Sequence, residues 1–292
     1  MCPPQLKNFP MLDQITPVIL TYNEAPNIGR TLEQLCWAHD IVVVDSFSKD
    51  ETLEIVSGFP QVRVFQREFD SHAAQWNFAL NETAVSSEWV LALDADYILT
   101  SSSIEELKGL SPEADVRGYS ATFVYCINGH ALRGSAYPPV TVLYRRARAF
   151  YRQDGHTQRV VVDGLVNSLS APILHDDRKP LSHWLQSQAR YMRIEAGKLL
   201  ELDAGSSSWS DCIRKMRFVA PFVMLFYCLI VKRAVLDGRA GLYYVFQRAV
   251  AEFILSLFLV EHDLRQVVPD KIKESAGKGR SADLIKEVKE EG

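Results

Sequence analysis

Four short apolar runs, each ending in polar or charged residues, set the tightest limit on how this chain can fold: Thr16–Thr21, Asp40–Asp45, Val62–Phe65 and Trp89–Leu99. Each has strand length. Between the first two lies Ile28–Ala38, with Ile28, Leu32, Leu35 and Cys36 at helix spacing. A short helix over Thr52–Gly58 separates the second and third runs, and Ser71–Ala84 reads as a helix before the fourth, with Ala74, Phe78 and Val85 inward. Strands alternating with helices at this pitch predict a parallel α/β sheet with right-handed crossovers. Ligands of such sheets lie at the carboxyl ends of the strands. Thr21–Glu24, Asp45–Thr52, Arg67 and Asp94–Asp96 are therefore expected around one cleft.

The fourth run carries the most explicit chemistry. Side chains alternate along a strand, so Asp94 and Asp96 share a face where the run leaves the core. Two carboxylates hold Mg²⁺ or Mn²⁺ weakly alone and better when a diphosphate completes the shell. The competing reading is two solvated aspartates in a strand-to-turn connection. Asp45 suits a base edge or ribose hydroxyl, or a cap for its loop or the next helix. Asp50, two residues before Thr52, suits the cleft or an Asx turn. Arg67 suits a phosphate, a base or solvent. Asn77 is expected to bond backbone.

Composition narrows the functional classes. With 292 residues, 47% apolar and 23% charged, there is room for one large domain and an appendage. The net charge of -4, with Lys and Arg dispersed, leaves no electrostatic footprint for nucleic acid. Cys2, Cys36, Cys126, Cys212 and Cys228 lack zinc or thioredoxin-like spacing and predict reduced thiols in a cytosolic setting. Residues 1–15 contain no continuous apolar stretch, so no secretory leader is expected.

Leu20-Thr-Tyr-Asn-Glu24, Val43-Val-Asp45-Ser-Phe-Ser-Lys-Asp50-Glu-Thr52 and Leu93-Asp-Ala-Asp96, in that order, resemble the successive motifs of family 2 glycosyltransferases. The nearest flavour is the bacterial lipopolysaccharide-core and envelope branch. The resemblance covers roughly residues 15 to 200. It implies a GT-A fold, a Rossmann-like mostly parallel sheet flanked by helices, with a nucleotide-diphosphate-sugar donor, Mg²⁺ or Mn²⁺, and inversion at the anomeric carbon. By position, Thr21, Asn23, Glu24, Asp45, Asp50 and Arg67 would line the nucleoside. Asp94 and Asp96 would hold the metal and the diphosphate.

Past this point Tyr119–Cys126 and Pro139–Arg145 alternate like half-exposed strands, with Asn128-Gly129-His130 as a turn between them, and are expected to build the acceptor side. A hairpin is expected over Val160–Leu169 around Asp163-Gly164. Inverting transfer needs a base for the acceptor hydroxyl. Relatives usually carry a His-Glu or Glu-Asp pair near residues 156–158, whereas this chain offers His156-Thr157 or Thr157-Gln158 and no acid. His156 suits the role by its ordinary pKa, with Asp154 next; both would otherwise merely order the loop. The resemblance gives His175 as a metal or diphosphate ligand, or as a histidine behind the site. Asp176, Asp177, Arg178 and Lys179 read equally well as a solvated charge cluster before Pro180.

Leu181–Leu202 predicts an amphipathic helix with Trp184, Leu185, Tyr191 and Leu199 inward, and Gly205–Ser208 a linker. Phe218–Val231 is 14 residues long and holds Pro221, short of the roughly 20 that a span needs. Gly241–Val260 is longer but carries Gln247 and an i,i+4 pair, Arg248 and Glu252. Two readings compete: buried packing helices, or helices dipping into the cytoplasmic leaflet with Arg214, Lys215, Arg217, Lys232 and Arg233 toward anionic lipid. The membrane reading is favoured by the density of apolar residues. The expected division is a glycosyltransferase domain over 1–204, a helical membrane-associating region over 205–264 and a charged tail over 265–292. The expected location is the cytoplasmic face of the inner membrane, with a glycan or lipid-linked acceptor. The alternatives are a non-catalytic, glycosyltransferase-like scaffold and a sugar nucleotidyltransferase. The latter would need a Gly-rich basic loop after the first strand, which Thr21–Asn27 lacks.

Overall fold

The structure is a computed structural model that describes residues 10–154, 157–202 and 208–277. The chain begins β1 (Ile15–Thr21), α1 (Ile28–Glu33), β2 (Ile41–Asp45), α2 (Thr52–Ser57), β3 (Val62–Gln66), α3 (His72–Glu82) and β4 (Trp89–Asp94). It continues through β5 (Tyr97–Leu99), α4 (Ser101–Gly109), β6 (Val116–Ala121), β7 (Phe123–Ile127), β8 (His130–Ala131) and β9 (Val140–Arg145). Then come β10 (Ala149–Asp154), β11 (Thr157–Val162), β12 (Leu165–Ser168), β13 (Ile173–His175) and the helices α5 (Leu181–Glu201), α6 (Trp209–Lys215), α7 (Val219–Phe226) and α8 (Gly238–Gly277).

The main sheet has the order β12-β6-β9-β4-β1-β2-β3. β1 runs parallel to β2 and β4, and β2 parallel to β3, while β9 is antiparallel between β4 and β6. Val18, Ile19, Ile41, Val42, Val43, Val44, Val90, Leu91 and Leu93 are fully buried. Continuous apolar strands of this kind are what a parallel sheet covered on both faces demands. The register sets Thr21 opposite Asp45 and Leu20 opposite Asp94, so the polar ends of three strands emerge level with one another. A second sheet, β5-β13-β7-β8, leans on this end and sets His175 opposite Tyr97 and beside Tyr125.

Several local expectations are corrected. α3 buries Ala73, Gln75, Trp76, Ala79 and Leu80, leaving Ala74 and Phe78 half-buried, because Trp76 turns in to stack on Tyr151 at 5.2 Å. β11 and β12 do not pair with each other. β11 pairs with β10, and β12 crosses to lie parallel to β6 at the edge of the main sheet. The stretch 119–126 divides between two sheets at Thr122, and β9 is a central strand whose Leu143 and Tyr144 are buried and not half-exposed. The Asn128-Gly129 turn is present, with both residues at positive φ. Leu185 is exposed on α5, whose buried residues are Met192, Glu195, Ala196 and Leu199. Cys126, Cys212 and Cys228 are free thiols as expected, whereas Cys36 is disulfide-bonded.

Contacts group the chain into two compact units, one of residues up to Gln186 with Phe226–Gln247, the other of Ser187–Leu225 with the chain from Arg248 onward. In the second unit Glu252 is buried and accepts from Arg214 at 2.8 Å, with Glu195 at 3.7 Å from the same guanidinium. The expected Arg248–Glu252 pair is therefore replaced by Arg214–Glu252, and Arg248 keeps a buried Nε without a hydrogen-bond partner among the described residues. Along α8, Tyr244, Val245, Ala249, Glu252, Leu255, Ser256 and Leu259 are buried, whereas Tyr243, Phe246, Val250, Phe253 and Leu257 are exposed. Spacings of three and four place those exposed residues on one continuous apolar stripe.

Within the first unit the start of α8 presses on the turn before it. A Cβ at Gly241 would strike the Ala234 carbonyl, whereas one at Gly109 would meet open space. Gly241→Ala is expected to cost about 1–3 kcal/mol through forced backbone movement. Gly109→Ala should be neutral or stabilising by up to about 1 kcal/mol, with urea denaturation of both variants as the check.

Candidate functional site

The loops after β1 and β2 lock one another. Asp45 is wholly buried and its carboxylate accepts from the Thr21 hydroxyl (3.0 Å), the Ser48 N–H (2.9 Å), the Ser48 hydroxyl and the Gln66 amide (3.4 Å). Four donors saturate a carboxylate, so Asp45 shapes the 46–52 loop. Asn23, at φ 54°, accepts from the Lys49 N–H while its own N–H donates to the Ser48 hydroxyl. Asp50 makes the Asx turn with the Thr52 N–H (3.1 Å) and also accepts from the Ala25 N–H (3.1 Å). Burial opposes its charge, but the Thr52 and Ala25 hydrogen bonds override this and hold the carboxyl below its usual range. Arg67 pairs with Asp70 at 2.7 Å, lies over Phe78 and reaches Gln75, which donates to Ser46.

The carboxylates at the end of β4 face the imidazole of His175. His175 Nε2 lies 3.2 Å from Asp96 Oδ2, inside a cage of Tyr97, Tyr125 and Tyr137 with ring centroids 4.8–5.3 Å away. Tyr97 and Tyr137 join hydroxyls at 2.6 Å. Burial would raise Asp96, but the His175 charge more than offsets it and Asp96 is held low; His175 is raised in turn, against its own burial. Asp94 is pushed up to about 6, by burial first and the Asp96 charge second. Asp94 is thus the acid of this pair whose ionised form its surroundings disfavour.

A third group comes from far along the chain. Lys179 Nζ donates to Glu24 Oε1 at 2.5 Å, both side chains being under 15% exposed. Burial and then the nearby Asp96 push Glu24 up, to about 7, with Lys179 as the main opposing charge. Asn27, fully buried, donates to Glu24 and Asp177 and accepts from the Arg178 N–H and Arg30. Asp176 accepts from Arg30 (2.8 Å), Arg178 (2.7 Å) and the Gly129 N–H (3.0 Å), and its own N–H donates to the Asp96 carbonyl. The segment 176–179 is therefore a hydrogen-bonded lattice anchored on the buried Asp176, with Arg178 exposed at its edge, and not a free solvated charge cluster. Asn27, Lys179 and the three tyrosines escape a reading of local pattern, since only the fold brings them to the strand ends.

Of the expected site residues, Glu24, Asp94, Asp96 and His175 share one electrostatic cluster. Thr21, Asn23, Asp45 and Asp50 form the loop lattice beside it, and Arg67 hangs on that lattice through its N–H to the Asp45 carbonyl. Asp154 ends β10 and accepts from Arg159 at 3.0 Å on the adjacent strand. Asn77 bonds the Tyr151 backbone in both directions, as expected. His156 lies outside the described residues.

Residues 16–164, about half of the chain, match the glycosyl transferase family 2 domain. The chain belongs to glycosyl transferase family 2. Its sheet is the mostly parallel, helix-flanked arrangement expected of the GT-A fold. An uncharacterized glycosyltransferase of Rickettsia bellii is 26% identical over 48% of this chain and 46% of its own length, so this chain spans about half of that relative. The lipopolysaccharide core biosynthesis glycosyltransferase LpsC of Rhizobium meliloti is 27% identical over 63% of this chain and 70% of its own. Among solved structures, S. aureus TarS 1–349 in complex with UDP-GlcNAc is 16% identical over 86% of this chain and 91% of that one, with a TM-score of 0.43. The Mycobacterium tuberculosis glucosyl-3-phosphoglycerate synthase with Mn²⁺, UDP and phosphoglyceric acid is 15% identical over 68% and 84%, with a TM-score of 0.42.

The donor set fits a hard divalent ion that brings its own ligands. Asp94 and Asp96 supply oxygens at the end of β4, and His175 Nδ1 is buried with no hydrogen-bond partner among the described residues. No group of three His, Cys, Asp or Glu side chains that could hold a metal occurs among the described residues, so such an ion would take most of its ligands from elsewhere.

Removing one half of a buried ion pair strands the other. Lys179→Met is expected to destabilise the fold by about 3 kcal/mol, and adding Glu24→Gln should recover much of it. Urea unfolding of the single and double variants at neutral pH measures both.

Proposed function

We propose that this protein is an inverting glycosyltransferase that moves a sugar from a nucleotide-diphosphate-sugar onto a glycan or lipid-linked saccharide in cell-envelope polysaccharide or lipopolysaccharide synthesis. The observation that carries this reading is the placing of Asp94 and Asp96 together at the end of β4, inside the family-matched segment and beside the β1–β2 loop lattice. The names of the two relatives, both glycosyltransferases and one a lipopolysaccharide-core enzyme, support the class of reaction and of acceptor.

In this scheme Thr21, Asn23, Glu24, Asp50 and Arg67 receive the nucleoside, and Asp45 contributes by holding the 46–52 loop in shape. Asp94 and Asp96 would hold Mg²⁺ or Mn²⁺, with His175 able to join through Nδ1 only as the neutral imidazole; the bound ion would take up charge building on the leaving diphosphate. Lys179 neutralises Glu24 and adds positive charge on the diphosphate side of the cluster. The acceptor proton goes to His156 or, in its place, to Asp154. We assign catalysis to residues 1–204, membrane association to 205–264 and a charged tail to 265–292.

The location proposed is the cytoplasmic face of the inner membrane, with the protein bound peripherally or shallowly inserted. Among the described residues one helix, Ala234–Gln266, is long and apolar enough to cross a membrane by length and composition. Its exposed stripe, with Phe246 and Leu257 each 62% exposed, supports a helix lying in the interface. Each buried apolar side chain contributes about 1.5 kcal/mol or more, roughly tenfold in partition. The Phe246→Ser/Leu257→Ser double variant is thus expected to lose most of its co-sedimentation with phosphatidylcholine–phosphatidylserine vesicles while keeping its melting temperature. Unchanged sedimentation would refute the peripheral placement.

The donor is tested by thermal shift with UDP-, GDP-, ADP- and dTDP-sugars, with and without Mn²⁺. At about 100 times Kd a ligand stabilises by roughly 2.7 kcal/mol. A Mn²⁺-dependent rise with one donor, lost in Asp96→Ala, is expected. Folded protein that responds to none of them would favour the non-catalytic scaffold.

A further inference from the structure

A second concavity lies behind the metal-side carboxylates. A cavity of about 820 Å³ opens between the Asn128-Gly129-His130 turn and the start of α8, within the first unit. That is the size range of a small-molecule site. It is tied to the candidate site by two hydrogen bonds: the Gly129 N–H donates to Asp176, and the Asp176 N–H donates to the Asp96 carbonyl.

The charge of its lining is not balanced. Arg133 is spent, since its backbone N–H (3.1 Å) and guanidinium (3.5 Å) both go to Asp237, which is thereby neutralised. Arg239 and His130 are exposed on the cavity, and no hydrogen bond or ion pair of their side chains occurs among the described residues. The first turn of α8 carries no acidic residue to answer Arg239. One guanidinium and one imidazole, both uncommitted, form a two-pronged donor set for an oxyanion. The lining is otherwise mixed, with Asn128 and the Gly129 turn beside the exposed Leu236 and Tyr243. Basic groups in a mixed polar and apolar concavity suit a ligand that carries an anion next to a sugar-like or apolar part.

We propose that this cavity takes a phosphate-bearing part of the acceptor, held by Arg239 and His130. This rests on the glycosyltransferase reading for the word acceptor, but the phosphate site stands or falls separately. The phosphoryl oxyanion is common to a phosphorylated saccharide and to a lipid headgroup, so both sources enter the test.

The full-length protein is titrated with glucose 6-phosphate and, separately, sedimented with phosphatidylcholine vesicles carrying either phosphatidic acid or phosphatidylserine. Arg239→Gln and His130→Ala go through both assays, and UDP with Mn²⁺ is titrated into every variant to follow the donor site. Both residues are exposed, so the variants are expected to fold. The expected result is a phosphomonoester response that Arg239→Gln weakens about tenfold, with UDP binding unchanged. A response to glucose 6-phosphate identifies a soluble phosphosugar; a preference for phosphatidic acid over phosphatidylserine identifies a lipid. Equal binding to the two vesicle types without any response to glucose 6-phosphate overturns the proposal, as does a response that both variants retain. An Arg239-dependent phosphate response in protein that never binds UDP would uphold the cavity and remove the glycosyltransferase reading.

Discussion

The parallel registers of β1 against β2 and against β4 set Thr21 beside Asp45 and Leu20 beside Asp94. Everything at the candidate site hangs on them. Side chains have a period of two along a strand, so a slip of one residue would turn Asp94 into the core and a core side chain out to the cleft. The fully buried valines of β2 make such a slip prohibitive. The apolar runs thus fix the positions of the acids that terminate them.

Charge then decides what that cleft tolerates. Glu24, Asp96 and Asp176 are carboxyl groups in or near a poorly solvated region, and each is answered by a basic side chain from another part of the chain: Lys179, His175, and Arg30 with Arg178. Buried pairs of this sort seldom add net stability over apolar packing. They do fix geometry, because each partner must reach its mate or leave a charge stranded. The balance is incomplete only around Asp94, where burial and Asp96 still raise the carboxyl.

Much of this was legible in the sequence. The alternation of strands and helices announced the parallel sheet, the two-residue spacing of Asp94 and Asp96 put them on one face, and Asp50 two residues before Thr52 foretold its Asx turn. Local signals failed where tertiary packing chose between similar options. Val160–Leu169 has the composition of a hairpin, yet β12 gains more by extending the main sheet beside β6. Trp76 overrode the expected inward face of α3 because an indole stacked on Tyr151 buries more than Ala74 and Phe78 offer. Asp45 kept both of its readings until the donors around it were visible. Lys179 and Asn27 had no local signature at all.

The Glu24–Lys179 bond closes a span of 155 residues. Loop closure grows costlier with length, and contacts of high sequence separation form late in folding. During synthesis from the amino end, β1 to β4 and their acids are complete long before residue 179 emerges. For that interval Glu24, Asp94 and Asp96 must stay hydrated or protonated. Burying those acids before that counter-charge arrives would cost the desolvation of unpaired carboxylates.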